Sequence, residues 1–182
     1  AQWYVKSTYR KWGQVPTSSR LTGEQVTQKL ILTGGLNDLN LREVPGNLTD
    51  HYDPRKKLLS LSPAVYQGNS VSSVAIAAHE LGHAMQDKDQ YFPLQLRSML
   101  VPAVNIGSTL GWILIMAGLL LNFINLAWLG VFAFSGGAIF ALATLPVELN
   151  ASARAKALLK NSGVILSHEE ESGVNSVLNA AA

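Results

Sequence analysis

Two stretches decide how this chain folds: Val101-PAVNIGSTLGWILIMAGLL-Leu121 and Leu126-AWLGVFAFSGGAIFALAT-Leu145. Each holds about 20 residues, and at about 1.5 Å of rise per residue a helix of that length spans about 30 Å, the thickness of a hydrocarbon core. From Ser98 to Val147 there is no Asp, Glu, Lys, Arg or His. A soluble helix pair of this length would carry a charged face, so both runs are predicted to be transmembrane. The link Asn122-Phe-Ile-Asn125 is short and uncharged, which predicts a tight antiparallel hairpin. Gly107, Gly111, Gly118, Gly130, Gly136 and Gly137 are tolerated in membrane helices and mark close helix packing. Lys88 and Arg97 precede the hairpin, and Arg154, Lys156 and Lys160 follow it. The positive-inside rule therefore places both flanks in the cytoplasm and the link outside.

At 182 residues the chain is long enough for one unit of ordinary size. Hydrophobic residues make up 48% of the 182 and charged residues 14%, below the roughly 25% of a soluble globular domain. A net charge of +2, with no long basic run or aromatic–basic interleaving of the kind that tracks a phosphate backbone, argues against nucleic acid as a partner. With no cysteine, disulfides and thiolate metal sites are excluded. The chain opens on Ala1-Gln2-Trp3 with no apolar signal-peptide region. Trp3, Tyr4, Tyr9 and Trp12 lie among Lys6, Arg10 and Lys11. This composition suits a membrane interface following a preceding span, and equally an amphipathic surface helix.

The remaining segments predict a mainly helical α+β fold. Thr22-Gly-Glu-Gln25 opens a capped helix that Gly34-Gly35 stops. Leu39 to Val44 alternates as a strand, Asn47 to Lys57 is turn-rich with a bend at Asp53-Pro54, and Leu58 to Ser62 is a second strand. A helix runs from about Ser70 through Gln86. After the hairpin, residues 146–161 form a helix that ends near Gly163, and Ser167-His-Glu-Glu170 is a capping box for a last one. The expected organisation is a single domain over 1–182. Its parts are a cytoplasmic portion at 13–97, the hairpin at 101–145, and two helices at 146–182.

Within the predicted helix lies His79-Glu80-Leu81-Gly82-His83, an H-E-x-x-H sequence. Four helical residues turn about 400°, so both imidazoles leave one face and can share a tetrahedral ion. Glu80 lies beside that face, where a general base could hold water and later protonate a leaving amine. Zinc would add Lewis acidity and activate the water. Chance produces this pattern in on the order of one in a hundred chains of this length. Ala77, Ala78 and Gly82 leave room for a strand or a substrate backbone to approach the helix. A catalytic site needs a third protein ligand. The candidates are Glu148, His51 and His168. Glu148 stands just past the second apolar run, and a hairpin returns it to the side of His79 and His83. Two features are weaker. Leu58–Ser62 could be the edge strand on which an extended substrate pairs, or a plain core strand. Asp50-His51-Tyr52-Asp53 could supply an oxyanion donor, or be a turn held by Asx side chains.

The order of strand, His-Glu-Leu-Gly-His, two-span hairpin and Pro146-Val-Glu148-Leu-Asn150-Ala-Ser152 resembles the bacterial membrane-bound neutral zinc metallopeptidases of the YugP type. Leu48-Thr-Asp-His-Tyr-Asp-Pro-Arg55 and Leu96-Arg-Ser-Met-Leu-Val-Pro102 fit the same pattern. By wider analogy the chain is similar to integral-membrane gluzincins. The resemblance implies a small zincin-like cytoplasmic unit with an inserted transmembrane hairpin. It also implies His79, His83 and Glu148 as Zn²⁺ ligands, and Glu80 as catalyst. The activity implied is that of an endopeptidase in the plasma membrane, multi-pass, acting from the cytoplasmic side on peptide or protein substrates. The family pattern carries Asp as often as Asn at the place of Asn150, so the resemblance assigns Asn150 no role. The alternative is a non-catalytic membrane scaffold whose zinc is structural. Such sites are normally closed by four ligands and have no use for Glu80.

Overall fold

In the computed structural model, which describes residues 2–181, three of the helices begin at side-chain caps that the sequence supplies. Helix α1 covers Gln2–Trp12 and α2 covers Gly23–Gly34. At the start of α2, Thr22 Oγ1 accepts the Gln25 N–H while the Gln25 side chain accepts the Thr22 N–H at 3.0 Å. Gly35, at φ 61°, closes that helix in the left-handed conformation that glycine adopts at little cost. After the strands and a short helix α3 (Pro63–Tyr66), α4 runs over Val71–Lys88 from a Ser70 cap. The last helix, α7 (His168–Ala181), starts at the expected reciprocal box. Glu170 N–H donates to Ser167 Oγ, and Ser167 N–H donates to the Glu170 carboxylate, each at 3.1 Å.

Three strands form one sheet: β1 (Asn40–Glu43), β2 (His51–Asp53) and β3 (Leu58–Leu61), in the order β1-β3-β2. β1 runs parallel to β3, and β2 antiparallel to it. Of the two readings of Leu58–Ser62, the plain core strand holds: β3 is the central strand with a neighbour on each side, so it offers no edge to a substrate. Its burial agrees, with Leu59, Ser60 and Leu61 all inaccessible. The edge on the other side of β3 is β2, inside the segment that reads as turn. The turn signal there is real as well, since Asp53 accepts the Arg55 N–H at 3.0 Å in an Asx turn.

The chain divides into two compact units, Ala1–Gln90 with Glu148–Ala182, and Tyr91–Val147. The first has a continuous apolar core: Val26 and Leu30 of α2, Leu59 and Leu61 of β3, Val74 and Leu81 of α4, and Leu178 of α7 are buried. Burying each such side chain contributes about 1.5–3 kcal/mol. Trp12 joins this core over Gly173, where a Cβ would meet the indole ring at 2.6 Å.

The second unit holds α5 (Phe92–Leu120) and the first part of α6 (Ile124–Ser162). Helix α5 starts nine residues before the apolar run does. Helix α6 continues through Pro146, joining what reads in the sequence as two segments. At the turn, Asn122 adopts φ 52°, and the Phe123 N–H donates to the Gly118 carbonyl at 2.8 Å. This is a Schellman end with asparagine in the glycine position. The helices touch through glycines. A Cβ on Gly111 would lie 2.8 Å from the Gly130 carbonyl oxygen, and one on Gly118 would lie 2.4 Å from the Ala127 nitrogen. Pairing 111 with 130 and 118 with 127 makes the contact antiparallel. Gly136 has open space around it and serves no such contact. Both helices are long and apolar enough to cross a membrane, with only 11% of the most apolar window of each buried.

Candidate metal centre

Two helices of the first unit build the site, α4 and the part of α6 from Glu148 onward. They approach closely at Gly82, where a Cβ would fall 2.3 Å from the Ala151 carbonyl oxygen. The small residue in the middle of His-Glu-Leu-Gly-His therefore admits the backbone of a helix, not that of a strand or a substrate as the sequence suggested. Any larger residue would push α6 away. Glu148 and Ser152, four residues apart and on one face of α6, thereby come to rest on the histidines.

His79 Nε2 lies 3.2 Å and His83 Nε2 3.3 Å from Glu148 Oε2. Ligand atoms of the three residues all lie within 4.8 Å of one another. Ligands about 2 Å from a tetrahedral ion stand about 3.3 Å apart, so the two separations fit the edges of such a site. Two imidazoles and one carboxylate also suit zinc, whereas magnesium and calcium favour oxygen donors. The imidazole planes meet at 84° with ring centroids 4.9 Å apart.

The other nitrogens orient the rings. Ser152 Oγ donates to the Leu178 carbonyl at 3.2 Å, so it is left to accept from His79 Nδ1 at 3.1 Å. Gln86 Nε2 donates to Asn150 Oδ1 at 2.9 Å, which turns Gln86 Oε1 toward His83 Nδ1 at 3.0 Å. Nδ1 of each ring is thus the donor to these partners, which would leave the Nε2 of a neutral ring available to a metal ion on the Glu148 side. Asn150 Oδ1 also accepts from Arg154 Nε at 2.8 Å, and Arg154 is paired with Asp89. Gln86 is wholly buried. This network ties His83 to α6, and it gives Asn150 a position that sequence reasoning left open. The available signal was spacing: Glu148, Ser152 and His79, His83 are both i,i+4 pairs.

Burial lifts the Glu80 acid above its ordinary value, opposed by His79 and His83 and supported by Asp50 and Glu148. Burial alone would lower His83, but its hydrogen bond to Glu148 and the charge of Glu80 carry it upward. The negative charge that favours a proton there would equally favour a cation. Glu80 and His79 also form part of the wall of a cavity of about 190 Å³, together with Asp50. Asp50 is held by Ser62, whose N–H and Oγ both donate to it at 2.7–3.0 Å.

The rival ligands are elsewhere. His51 is exposed, with Nδ1 2.8 Å from the Thr49 carbonyl, and His168 is exposed at the start of α7, 3.8 Å from Glu171. Neither belongs to the His79–His83–Glu148 group. Of the polar cluster at 50–53, Tyr52 donates to Asp87 at 2.7 Å, beside the Lys57 ammonium, and only Asp50 reaches the cavity wall.

Residues 1–182 match the family described as "Putative neutral zinc metallopeptidase". The chain belongs to that family of zinc metallopeptidases, as the motif resemblance implied. Among curated relatives, "Putative membrane protease YugP" of Bacillus subtilis (strain 168) is 44% identical over 182 residues, spanning 100% of this chain and 80% of the relative. No solved structure matches the chain.

Proposed function

We propose that this protein is a membrane-bound zinc endopeptidase that hydrolyses peptide bonds at the cytoplasmic membrane surface. The observation that carries the reading is the placement of Glu148 Oε2 at 3.2 and 3.3 Å from the two imidazoles of His79-Glu-Leu-Gly-His83. His79, His83 and Glu148 would hold the ion and leave a fourth position open. Zinc bound there supplies Lewis acidity and brings the pKa of water toward neutrality. Glu80 takes the proton from the water that attacks the peptide carbonyl carbon, and returns it to the leaving amine nitrogen as the C–N bond breaks. Its raised pKa suits both halves of that transfer. A helix carrying the motif beside a small sheet supports a zincin-like architecture for the first unit. A structural zinc in a scaffold is the weaker reading, because three protein ligands with a carboxylate beside them at a cavity wall make an open site.

The test is Glu80→Gln. Zinc should stay near one per chain while peptide hydrolysis falls by about a thousandfold or more. Near-normal turnover would remove Glu80 from the mechanism. The placement in the membrane rests on the uncharged link and the Lys/Arg-bearing flanks. Single cysteines replacing Lys88 and Ile124 test it, because the chain has no cysteine of its own. An impermeant thiol reagent applied to intact cells should label position 124 and spare position 88; the opposite pattern reverses the orientation.

A further inference from the structure

The cavity at the Glu80 wall has a composition of its own. Away from His79 and Glu80 its wall is mostly apolar, with Val5 of α1, Ala75 and Ile76 of α4 and Val177, Leu178 and Ala180 of α7, and its polar groups there are Thr8 and Tyr9 of α1 and Asp50 before β2. Ala75 and Ile76 lie about one helical turn before the motif. The space therefore extends from the proposed general base toward the N-terminal half of α4, between the first and last helices. We infer that this cavity receives the side chain of the substrate residue flanking the scissile bond, and selects an apolar one of leucine or phenylalanine size. The inference rests on the peptidase reading above.

Position, size and charge point the same way. With His79 and Glu80 in its wall, a group in the cavity lies within a side chain's length of the bond that Glu80 would help to break. About 150 Å³ of apolar cavity is enough to hold benzene, so about 190 Å³ accommodates a benzyl or isobutyl group and is wasteful for a methyl. A charged side chain would lose its hydration against the aliphatic wall. An acidic one would also face Asp50 and Glu80. The Asp50 carboxylate is already engaged by the N–H and hydroxyl of Ser62, which limits what it could offer a basic side chain.

The test uses the purified full chain with zinc in detergent and an equimolar mixture of unstructured peptides, with cleavage sites read by mass spectrometry. One of the two positions flanking the cut should favour Leu, Met or Phe over Asp, Glu and Lys by about tenfold or more, the scale on which a hydrophobic pocket discriminates. Ala180→Phe, which adds bulk at the wall, should shift that preference about tenfold toward Ala and Ser with zinc content unchanged. Ile76→Ala, which widens the cavity, should shift it toward Tyr and Trp, and it carries the test if Ala180→Phe does not fold. Glu80-dependent cleavage with no preference at either position, or a preference that neither variant moves, overturns the inference and leaves the peptidase reading standing. Enrichment of Lys or Arg that Asp50→Asn abolishes also overturns it, naming Asp50 as the specificity residue. If the zinc-loaded chain cleaves nothing that Glu80→Gln does not, the peptidase reading fails and this inference falls with it.

Discussion

Helices α4 and α5 invert the usual relation between polarity and burial. Helix α4 carries Ser72, Ser73, His79 and Gln86, yet all four are buried. Helix α5 is almost wholly apolar, yet Trp112, Ile113 and Leu120 are 58%, 55% and 77% exposed. Each is consistent with its own surroundings. Polar groups can be buried when every donor and acceptor has a partner, and on α4 the partners can be named: Tyr9 and Ala64 carbonyls for the serines, Ser152 and Glu148 for His79, Asn150 for Gln86. Large apolar side chains can cover a surface when the solvent is not water. The first unit is built against water around a polar centre. The second presents to its surroundings what a hydrocarbon would accept.

The largest effect is expected where the buried polar centre is unpaired. Glu148→Ala leaves two histidines without their shared carboxylate and removes a proposed ligand, so zinc affinity should fall by about a hundredfold or more, and the melting temperature of the zinc-loaded protein with it. Metal content after dialysis against a weak chelator, alongside melting in detergent, measures both. Stoichiometric zinc with an unchanged melting point would show that Glu148 is not a ligand.

A matched pair of surface changes addresses the other half of the contrast. Leu32 of α2 is 75% exposed and Phe132 of α6 is 74% exposed, so burial does not distinguish them. Leu32→Lys should alter stability by no more than about 0.5 kcal/mol. Phe132→Lys should cost about 2.5–3.5 kcal/mol if the surroundings are lipid. Yield in the membrane fraction and melting in nanodiscs compare the two, and equal, small effects would return the second unit to water.

The smallest effect concerns a buried charge far from the metal ligands. Burial alone would raise the Glu170 carboxyl, but N–H groups of Ser18, Leu166 and Ser167 bring it down to about 2. A carboxylate whose folded pKa is depressed stabilises the fold above its unfolded value, near 4.3, and loses that contribution as pH falls toward 2. Melting temperature should therefore drop over that window in the parent chain more than in Glu170→Gln. Parallel curves would deny the carboxylate any role in holding the 18–20 segment to α7.

Local chemistry was legible and long-range contact was not. The boxes at Thr22–Gln25 and Ser167–Glu170, the Ser70 cap and both apolar helices follow from residues within a turn or two of each other. The grouping of Glu148 with His79 and His83 was legible because few acidic residues compete for the place and a hairpin must return. Strand β2 was missed because it has three residues, all polar or aromatic, beside a strong turn signal. The continuity of α6 was missed because Pro146 lacks the N–H that an internal helical residue donates. What the small residue at Gly82 admits could not be read from α4 alone, since Ala151 is supplied from the far side of the apolar unit. The Gln86–Asn150–Arg154 network has the same origin.

That separation also sets a schedule. His79 and Glu148 are 69 residues apart in sequence, with the whole apolar unit between them. At about 5–20 residues per second, the ribosome needs about 3–14 seconds after making the histidines before it adds the carboxylate. Throughout that interval the nascent chain carries half of the candidate centre, with Glu80 in place and the Glu148 carboxylate not yet synthesised. By the time Glu148 is made, both apolar helices precede it. On the peptidase reading proposed above, the cutting site would be complete only after both apolar helices exist, a safeguard written into the order of the chain.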